Sequence, residues 1–406
     1  MKTVSKERLD NKIKTFSKFG DTGNGGITRL SLSPAALEAR AEFVRRAKEL
    51  NLGIEYDDMG NIYATKPGTE DLPRLVMGSH CDSVVCGGNY DGILGVLTGL
   101  EVVETMVRDN IPTRHPITAM IWTNEEGARF PPAMMSSGVV LGKFKKEVMM
   151  AVKDEKGVTF AEALEASGYK GDEANRLNPK KYKAMFELHI EQGPVLEDAQ
   201  KSVGVVEGVV GMINYTIELR GQADHAGSTP MHKRHDALHA AAQVICDLYV
   251  KLGKLDKDLV FTFGHIECHP NVHTVIPDHV AFSIDSRHRD GAVVQQVVDT
   301  IKALPKEVVG CKLSFKENWA RNTIQFTPEL VSFVEDSVKE LGYSYMRLYS
   351  GPGHDAQYVI DMMPSTMIFA PSVNGHSHCE DEMTPLEDCW KACNVLLNAV
   401  LKADQK

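Results

Sequence analysis

Seven side chains in this sequence belong to the residue types that bind divalent metals or move protons, and most of them come just after an apolar run. The seven are His80, Asp82, Asp91, Glu125, Glu126, His189 and His378. The apolar runs, with the polar residues that follow them, read LVMGSHCD, ITAMIWTNEE, AMFELHIEQ and TMIFAPSVNGHSH. In an open α/β sheet the carboxyl ends of the strands share one crevice. We therefore expect these side chains to converge on one ligand.

Five of the seven side chains have the chemistry of zinc ligands. Imidazole nitrogens and carboxylate oxygens suit zinc and related divalent metals, so manganese, cobalt and nickel also fit. Five donors exceed what one tetrahedral ion with an open position needs, whereas they suit two ions that share a bridging ligand and a water molecule of lowered pKa. The sequence therefore predicts a site for two metal ions with the ligands His80, Asp91, Glu126, His189 and His378.

The roles of the acidic residues follow from their neighbours. Asp91 begins a predicted helix, whose first amides favour a carboxylate, and this makes it the candidate bridge between the ions. Successive side chains on a loop diverge, so we assign Glu126 to a metal and the adjacent Glu125 to proton transfer. Asp82, two residues after His80, is predicted to hold the second ring nitrogen of that histidine.

The elements that must position these residues alternate along the chain. Strand-like runs separated by helical segments predict an α/β fold with a mixed, mainly parallel sheet covered on both faces. Between residues 209 and 325 the predicted order changes to βαββαβ, a split βαβ unit with helices on one face of its own sheet. We therefore predict a catalytic domain in two parts, residues 1–208 and 326–406, and an inserted α+β domain, residues 209–325.

The composition narrows the class of protein. The chain has 406 residues, enough for two domains, with 43% hydrophobic and 25% charged residues and no apolar run long enough to span a bilayer. The N-terminal segment lacks the apolar core of a secretion signal, so we expect a cytoplasmic protein. A net charge of −10 without a basic run argues against a nucleic-acid partner. The eight cysteines match no zinc-finger or redox spacing.

Two residues of the inserted segment have side chains that suit substrate contacts. His225 lies among small residues in QADHAGSTPMHKRHDA and could donate a hydrogen bond to an oxyanion, although a structural loop histidine is the more frequent case. Arg287 could hold a carboxylate through two parallel hydrogen bonds, and a surface arginine fits the pattern equally well. The residues alone leave both alternatives open.

Six ordered motifs resemble those of the M20 metallopeptidase superfamily, and more narrowly those of its amidase, hydantoinase and carbamoylase branch. The motifs read GSHCDSV with GGNYDGILGV, TNEEGARFPPAMMSSG, ELHIEQGPVLE, GQADHAGSTPMHKRHDA, SGPGHDAQ and GHSHCEDEMT. The branch contains N-carbamoyl-L-amino acid hydrolases, β-ureidopropionases and allantoate amidohydrolases. The resemblance implies a catalytic domain with two metal ions, a smaller lid domain, and a homodimer formed through the lids.

The resemblance also implies a role for each matched residue. The metal ligands fall into two groups that share one member: His80, His189 and Asp91 for one ion, and Glu126, His378 and Asp91 for the other. Glu125 matches the general base, and Asp82 matches the residue behind the first histidine. The positions that match substrate contacts are Gln192, His225, Arg287 and, in the loop SGPGHDA, Gly353. His225 would close over the scissile group from its own or from the neighbouring subunit, and Arg287 would bind a carboxylate.

Two positions depart from the pattern of the branch. Where the branch reads Asn-Val-Ile-Pro, this chain has Thr274 in place of the asparagine, which resembles a substrate-binding position. A hydroxyl group cannot reproduce the two-sided hydrogen bonding of an amide, so the N-substituent of the substrate is open. Pro352 also stands where a small residue is usual.

The motifs and the ligand set together predict a metal-dependent amidohydrolase. It would cleave a linear amide or ureido C–N bond of an N-carbamoyl or N-acyl L-amino acid, a small substrate that bears a carboxylate. The alternatives are an N-acyl amino acid conjugate hydrolase, an allantoate amidohydrolase or a dipeptidase of the M20 family. A non-catalytic metal-binding protein is an alternative from another class, and Glu125 argues against it because such a protein needs no base beside its metals.

Overall fold

The computed structural model describes residues 1–406, which divide into two compact units. The larger unit comprises residues 1–208 and 325–406, and the smaller unit comprises residues 209–324. The helices are α1 Lys6–Phe16, α2 Pro34–Glu49, α3 Ile93–Arg108, α4 Met135–Val140, α5 Lys146–Met150, α6 Phe160–Ser167, α7 Val195–Asp198, α8 Ala237–Leu252, α9 Gly291–Lys302, α10 Pro328–Glu340, α11 Ala356–Val359 and α12 Leu386–Asp404. None of these helices is long and apolar enough to cross a membrane.

The strands form two sheets. They are β1 Gly53–Tyr56, β2 Ile62–Lys66, β3 Arg74–His80, β4 Ile117–Trp122, β5 Tyr182–Ile190, β6 Val203–Val209, β7 Gly211–Arg220, β8 Val260–Thr262, β9 Ile266–His269, β10 His279–His288, β11 Glu307–Val308, β12 Cys311–Arg321, β13 Ile324–Gln325, β14 Tyr345–Ser350 and β15 Ser365–Ala370. The nine-stranded sheet has the order β1-β2-β4-β3-β5-β15-β6-β13, and β14 also pairs with β6.

The centre of the nine-stranded sheet is parallel. Strands β4, β3, β5 and β15 pair in parallel, whereas β1 with β2, β2 with β4, and β15 with β6 are antiparallel. All six residues of β4 and of β15 are buried, as expected for strands covered by helices on both faces. The predicted α/β fold with a mixed, mainly parallel sheet is confirmed, and the carboxyl ends of four strands meet at one edge.

Helix α1 is fixed to helix α3, which begins next to Asp91, by a buried ion-pair network. The Nζ atom of Lys12 lies 2.6 Å from carboxylate oxygens of both Glu101 and Glu104, and the side chain of Lys12 is 1% exposed. Arg8 also pairs with Glu101 at 2.7 Å. The network secures the position of the helix that follows the candidate bridging residue.

Replacing Lys12 by methionine is expected to destabilise the protein by about 3 kcal/mol or more, because the buried carboxylates of Glu101 and Glu104 then lack their ammonium partner. The free energy of unfolding from urea titration measures the effect. Lys14→Met is the matched control, because Lys14 is 72% exposed in its pair with Asp10. A Lys12 variant as stable as the control would contradict the expectation.

The smaller unit has its own six-stranded sheet. The order is β11-β12-β7-β10-β8, and β9 pairs with β10 beside β8. Alternate residues of β7 are buried, and those on one face pack with α8 and α9 in a separate hydrophobic core. The predicted order βαββαβ has one strand between the first helix and β10, whereas the structure has two short strands there, β8 and β9, separated by residues 263–265. The last strand of that order is β12, and the short strand β11 pairs with its first residues.

Candidate metal centre

The carboxyl edge of the parallel strands brings the predicted ligands into one cavity. His80 ends β3, His189 stands near the end of β5, and Glu126 follows β4. The cavity has a volume of about 190 Å³. It is lined by His80, Asp91, Glu125, Glu126, Ala133, Met134, His189, Gln192, Pro352, Gly353, His354 and His378.

The two carboxylate oxygens of Asp91 face different sets of side chains. Its Oδ1 atom lies 3.1 Å from Nε2 of His189 and 3.6 Å from Nε2 of His80. Its Oδ2 atom lies 3.1 Å from Nε2 of His378, which in turn lies 3.3 Å from Oε2 of Glu126. In each set the donor atoms lie within 4.8 Å of one another. We call His80–Asp91–His189 the first triad and Asp91–Glu126–His378 the second triad.

The donor atoms of the two triads fit divalent cations. Burial alone would raise the pKa of Asp91, but hydrogen bonds with His189, His378 and His80 hold the pKa of that carboxyl well below its usual range. Burial and the nearby Asp91 raise the pKa of Glu126 to about 8, and its buried Oε1 atom has no hydrogen-bond partner. Imidazole nitrogens and carboxylate oxygens at this spacing are a donor set for zinc and similar ions.

Asp82 positions the loop of the two glutamates. Its Oδ1 and Oδ2 atoms accept hydrogen bonds from the main-chain amides of Glu125 and Glu126 at 3.3 and 3.2 Å. The Nδ1 atom of His80 lies 3.0 Å from the main-chain oxygen of Asp82 and 3.9 Å from its carboxylate. The predicted contact behind His80 is therefore made by the main chain of Asp82, because its carboxylate is directed to the two amides.

Glu125 lies beside the triads without belonging to either. Its Oε2 atom is 3.6 Å from Nε2 of His80, and its side chain is almost fully buried. Burial raises the pKa of Glu125 well above its usual range, against the opposing effect of His80. A carboxyl group of raised pKa at the wall of the cavity suits proton transfer.

Gln192 and Gly353, predicted as substrate contacts, also line the cavity. The Nε2 atom of Gln192 donates to Oδ2 of Asp91 at 2.7 Å and to the hydroxyl of Ser377 at 3.1 Å. Gln192 and His378 both have a positive φ, which turns the main chain sharply at each of the two residues. The larger unit thus brings these two predicted contacts to the predicted metal ligands.

Several residues of the site were not singled out from the sequence. His354 packs against His189 with ring centroids 4.4 Å apart. Glu187 accepts hydrogen bonds from the hydroxyl of Ser79 and from the amide of Ala356. Glu187 stands two residues before His189 on β5, so the period of a strand was the signal that could have identified it. Glu382 accepts from the amide of Asp91 and had no such signal.

The backbone after Asp91 requires a glycine at position 92. Its φ is +64°, in the left-handed region, and a Cβ atom at this position would collide with the imidazole ring of His80. The main chain thereby approaches the ring closely at the start of α3. A larger residue at position 92 would therefore displace the ring of His80, a candidate metal ligand.

The remaining predicted contacts belong to the smaller unit. His225 forms an isolated bridge with Val275, and its Nδ1 atom accepts a hydrogen bond from the amide of Gly227 at 3.0 Å. The amide of Ala226 donates to the main-chain oxygen of Thr274, so Thr274 is a neighbour of His225. Arg287 lies on β10, where its Nε atom donates to Asp285 at 2.8 Å.

The fold and the site fit an α/β metallohydrolase with two groups of candidate metal ligands that share Asp91 at the carboxyl edge of a parallel sheet. The chain belongs to peptidase family M20/M25/M40, whose model matches residues 76–402. It is 38% identical to the N-carbamoyl-L-amino-acid amidohydrolase of Rhizobium meliloti, over 98% of this chain and 96% of that protein.

Two further relatives agree with this assignment. The allantoate amidohydrolase of Escherichia coli (strain K12) is 34% identical over 98% of this chain and 97% of its own length. The crystal structure of an amidase of the hydantoinase/carbamoylase family from Burkholderia multivorans matches with a TM-score of 0.92 and 39% identity, over 100% of this chain and 99% of that one. The predicted family is confirmed, and the chain is a metal-dependent amidohydrolase that acts on linear C–N bonds.

Proposed function

We propose that this chain hydrolyses the linear amide or ureido C–N bond of an N-carbamoyl or N-acyl L-amino acid. The observation that carries the proposal is the shared position of Asp91 in two triads, with the buried Glu125 on the same cavity wall. The named activity of the Rhizobium meliloti relative supports the carbamoyl substrate. The named activity of the Escherichia coli relative makes allantoate the second candidate.

The first triad would hold one divalent cation and the second triad the other, with zinc as the first candidate and manganese, cobalt or nickel as alternatives. When bound, the two cations lower the pKa of a water molecule and polarise the scissile carbonyl group. The protein supplies the remaining chemistry through side chains around the cavity.

Glu125 would take the proton of the attacking water and deliver it to the leaving nitrogen. Burial raises the pKa of this carboxyl group, and a carboxyl group of raised pKa is a better proton acceptor that can later return the proton. Asp82 keeps the main chain of Glu125 in place through the hydrogen bond from its amide. Gln192 and Gly353 would bind the substrate from the cavity wall.

The smaller unit would supply substrate specificity. We assign the oxyanion to His225, the substrate carboxylate to Arg287 and the N-substituent to Thr274, the residue that departs from the pattern of the branch. Strand β11 covers β12 only at Cys311 and Lys312, so the remaining edge of β12 supports a homodimer formed through this unit. The eight cysteines are free thiols, which supports a cytoplasmic location.

The test is hydrolysis of a matched set of substrates by the purified protein loaded with zinc or manganese. The set is one L-amino acid carrying an N-carbamoyl, N-formyl, N-acetyl or longer N-acyl group, together with allantoate and a dipeptide. We expect the highest kcat/KM for the N-carbamoyl or an N-acyl compound, and no hydrolysis of its D-enantiomer. Turnover of allantoate alone would favour the second candidate, and turnover of none of the compounds would contradict the proposal.

A further inference from the structure

Glu382 is a buried carboxylate that contacts the main chain of the bridging residue. It is 4% exposed, and its Oε1 atom accepts hydrogen bonds from the amides of Tyr90 and Asp91 at 2.9 and 3.0 Å. Its Oε2 atom accepts from the hydroxyl of Ser377 at 2.8 Å. Two polypeptide segments that are distant in sequence are therefore held by one side chain.

The hydrogen bonds around Glu382 connect it to two members of the second triad, Asp91 and His378. The hydroxyl of Ser377 lies 3.3 Å from Oδ2 of Asp91, the oxygen that faces His378. Ser377 precedes His378 in the chain, and the amide of Glu382 donates to the main-chain oxygen of Cys379, so that His378 and Glu382 flank one turn. A displacement of Glu382 would thus be transmitted to Asp91 and to His378 together.

The loop before Asp91 is shaped around Glu382. A Cβ atom at Gly88 would collide with Oε1 of Glu382, so the glycine lets the main chain approach the carboxylate closely. Burial and the like charge of Asp91 both raise the pKa of Glu382. Two buried carboxylates side by side are unfavourable alone, and cations bound by the triads would offset their repulsion.

We propose that Glu382 is a positioning residue that holds Asp91 and His378 in the geometry of the second triad, and thereby sets the affinity of that triad for its cation. The inference rests on the proposed assignment of the metal ligands. It assigns to Glu382 no contact with the substrate. Its effect is on the relative position of two ligands and on the electrostatic field around them.

The test is calorimetric titration of Zn²⁺ into chelator-treated full-length protein. Glu382→Gln is expected to weaken the binding of the second cation by at least about tenfold, the range measured for groups that orient metal ligands, and that of the first cation by less, because His378 belongs to the second triad alone. We also expect this variant to lose turnover at limiting Zn²⁺ and to regain it with excess Zn²⁺, because mass action refills a site of lowered affinity. Asp381→Asn is the matched control, since it removes the same charge from an exposed side chain of the same turn.

Gly88→Ala provides a second route to the same displacement, because its Cβ atom would push the carboxylate aside without removing it. We expect the same loss of affinity for the second cation. If circular dichroism shows that Glu382→Gln is unfolded, the Gly88 variant tests the inference instead. Wild-type affinity for both cations in the folded variants would overturn the inference. A wild-type protein that binds fewer than two cations would instead overturn the proposed metal site itself.

Discussion

Replacing Glu125 by glutamine is expected to lower kcat by about 10²–10⁴-fold while both cations remain bound, because positioned acid–base groups contribute effects of this size. Glu125 is part of neither triad, and its carboxylate lies 3.6 Å from the ring of His80 at the cavity wall. Glutamine keeps the shape and the polarity of the side chain but cannot accept and release a proton. Rates on the best substrate of the matched set and metal content by mass spectrometry measure the two effects.

The neighbouring residue provides the matched control for this prediction. Glu126→Gln makes the same chemical change one position along the loop, at a side chain whose carboxylate belongs to the second triad. We expect this variant to lose turnover together with one cation. Retained turnover in the Glu125 variant, or loss of a cation from it, would show that the two glutamates have been assigned to the wrong tasks.

Replacing Asp91 by asparagine is expected to have the largest effect on metal content. Its Oδ1 atom belongs to the first triad and its Oδ2 atom to the second, so one substitution removes a charged donor from both. We expect weaker binding of both cations and a loss of kcat/KM of more than about a hundredfold, the upper range for groups that only orient ligands. Titration of Zn²⁺ and steady-state rates measure these effects.

His378→Ala is the control for Asp91→Asn, because it removes a ligand from one triad only. His378 belongs to the second triad alone, so its removal should lower the affinity for one cation and leave the affinity for the other unchanged. A bridging Asp91 predicts that the asparagine variant affects two binding events and the alanine variant one. Equal effects of both substitutions on a single cation would refute the bridge.

The convergence of the ligands was predictable because it depends on strand order and on local polarity. His80 and His189 each stand at the end of a buried apolar strand, and parallel pairing of β3 with β5 brings such ends to one edge. Asp91 was predictable for a related reason, since it precedes a helix that packs on the same strands. The sequence therefore contains enough information to bring His80, Asp91 and His189 to one edge of the sheet.

The supporting contacts could not be predicted in the same way. Glu382 reaches the amide of Asp91 across 291 positions of sequence, and no periodicity relates two loops so far apart. Asn124, Gln192 and His378 adopt a positive φ, although none is a glycine, because tertiary contacts over-determine their turns. The same limit applies to Asp82, where the course of the turn directs the carboxylate away from His80.

The inserted position of the smaller unit has a consequence for how such enzymes diversify. The chain leaves the larger unit after β6 and returns at β13, while all five candidate ligands and Glu125 lie outside residues 209–324. The residues proposed to bind the cations and to move the proton are therefore encoded outside the insertion, whereas His225 lies within it. If the proposed role of Thr274 is correct, a library of variants confined to the insertion that keeps His225 is expected to change substrate preference while the metal content stays that of the wild type.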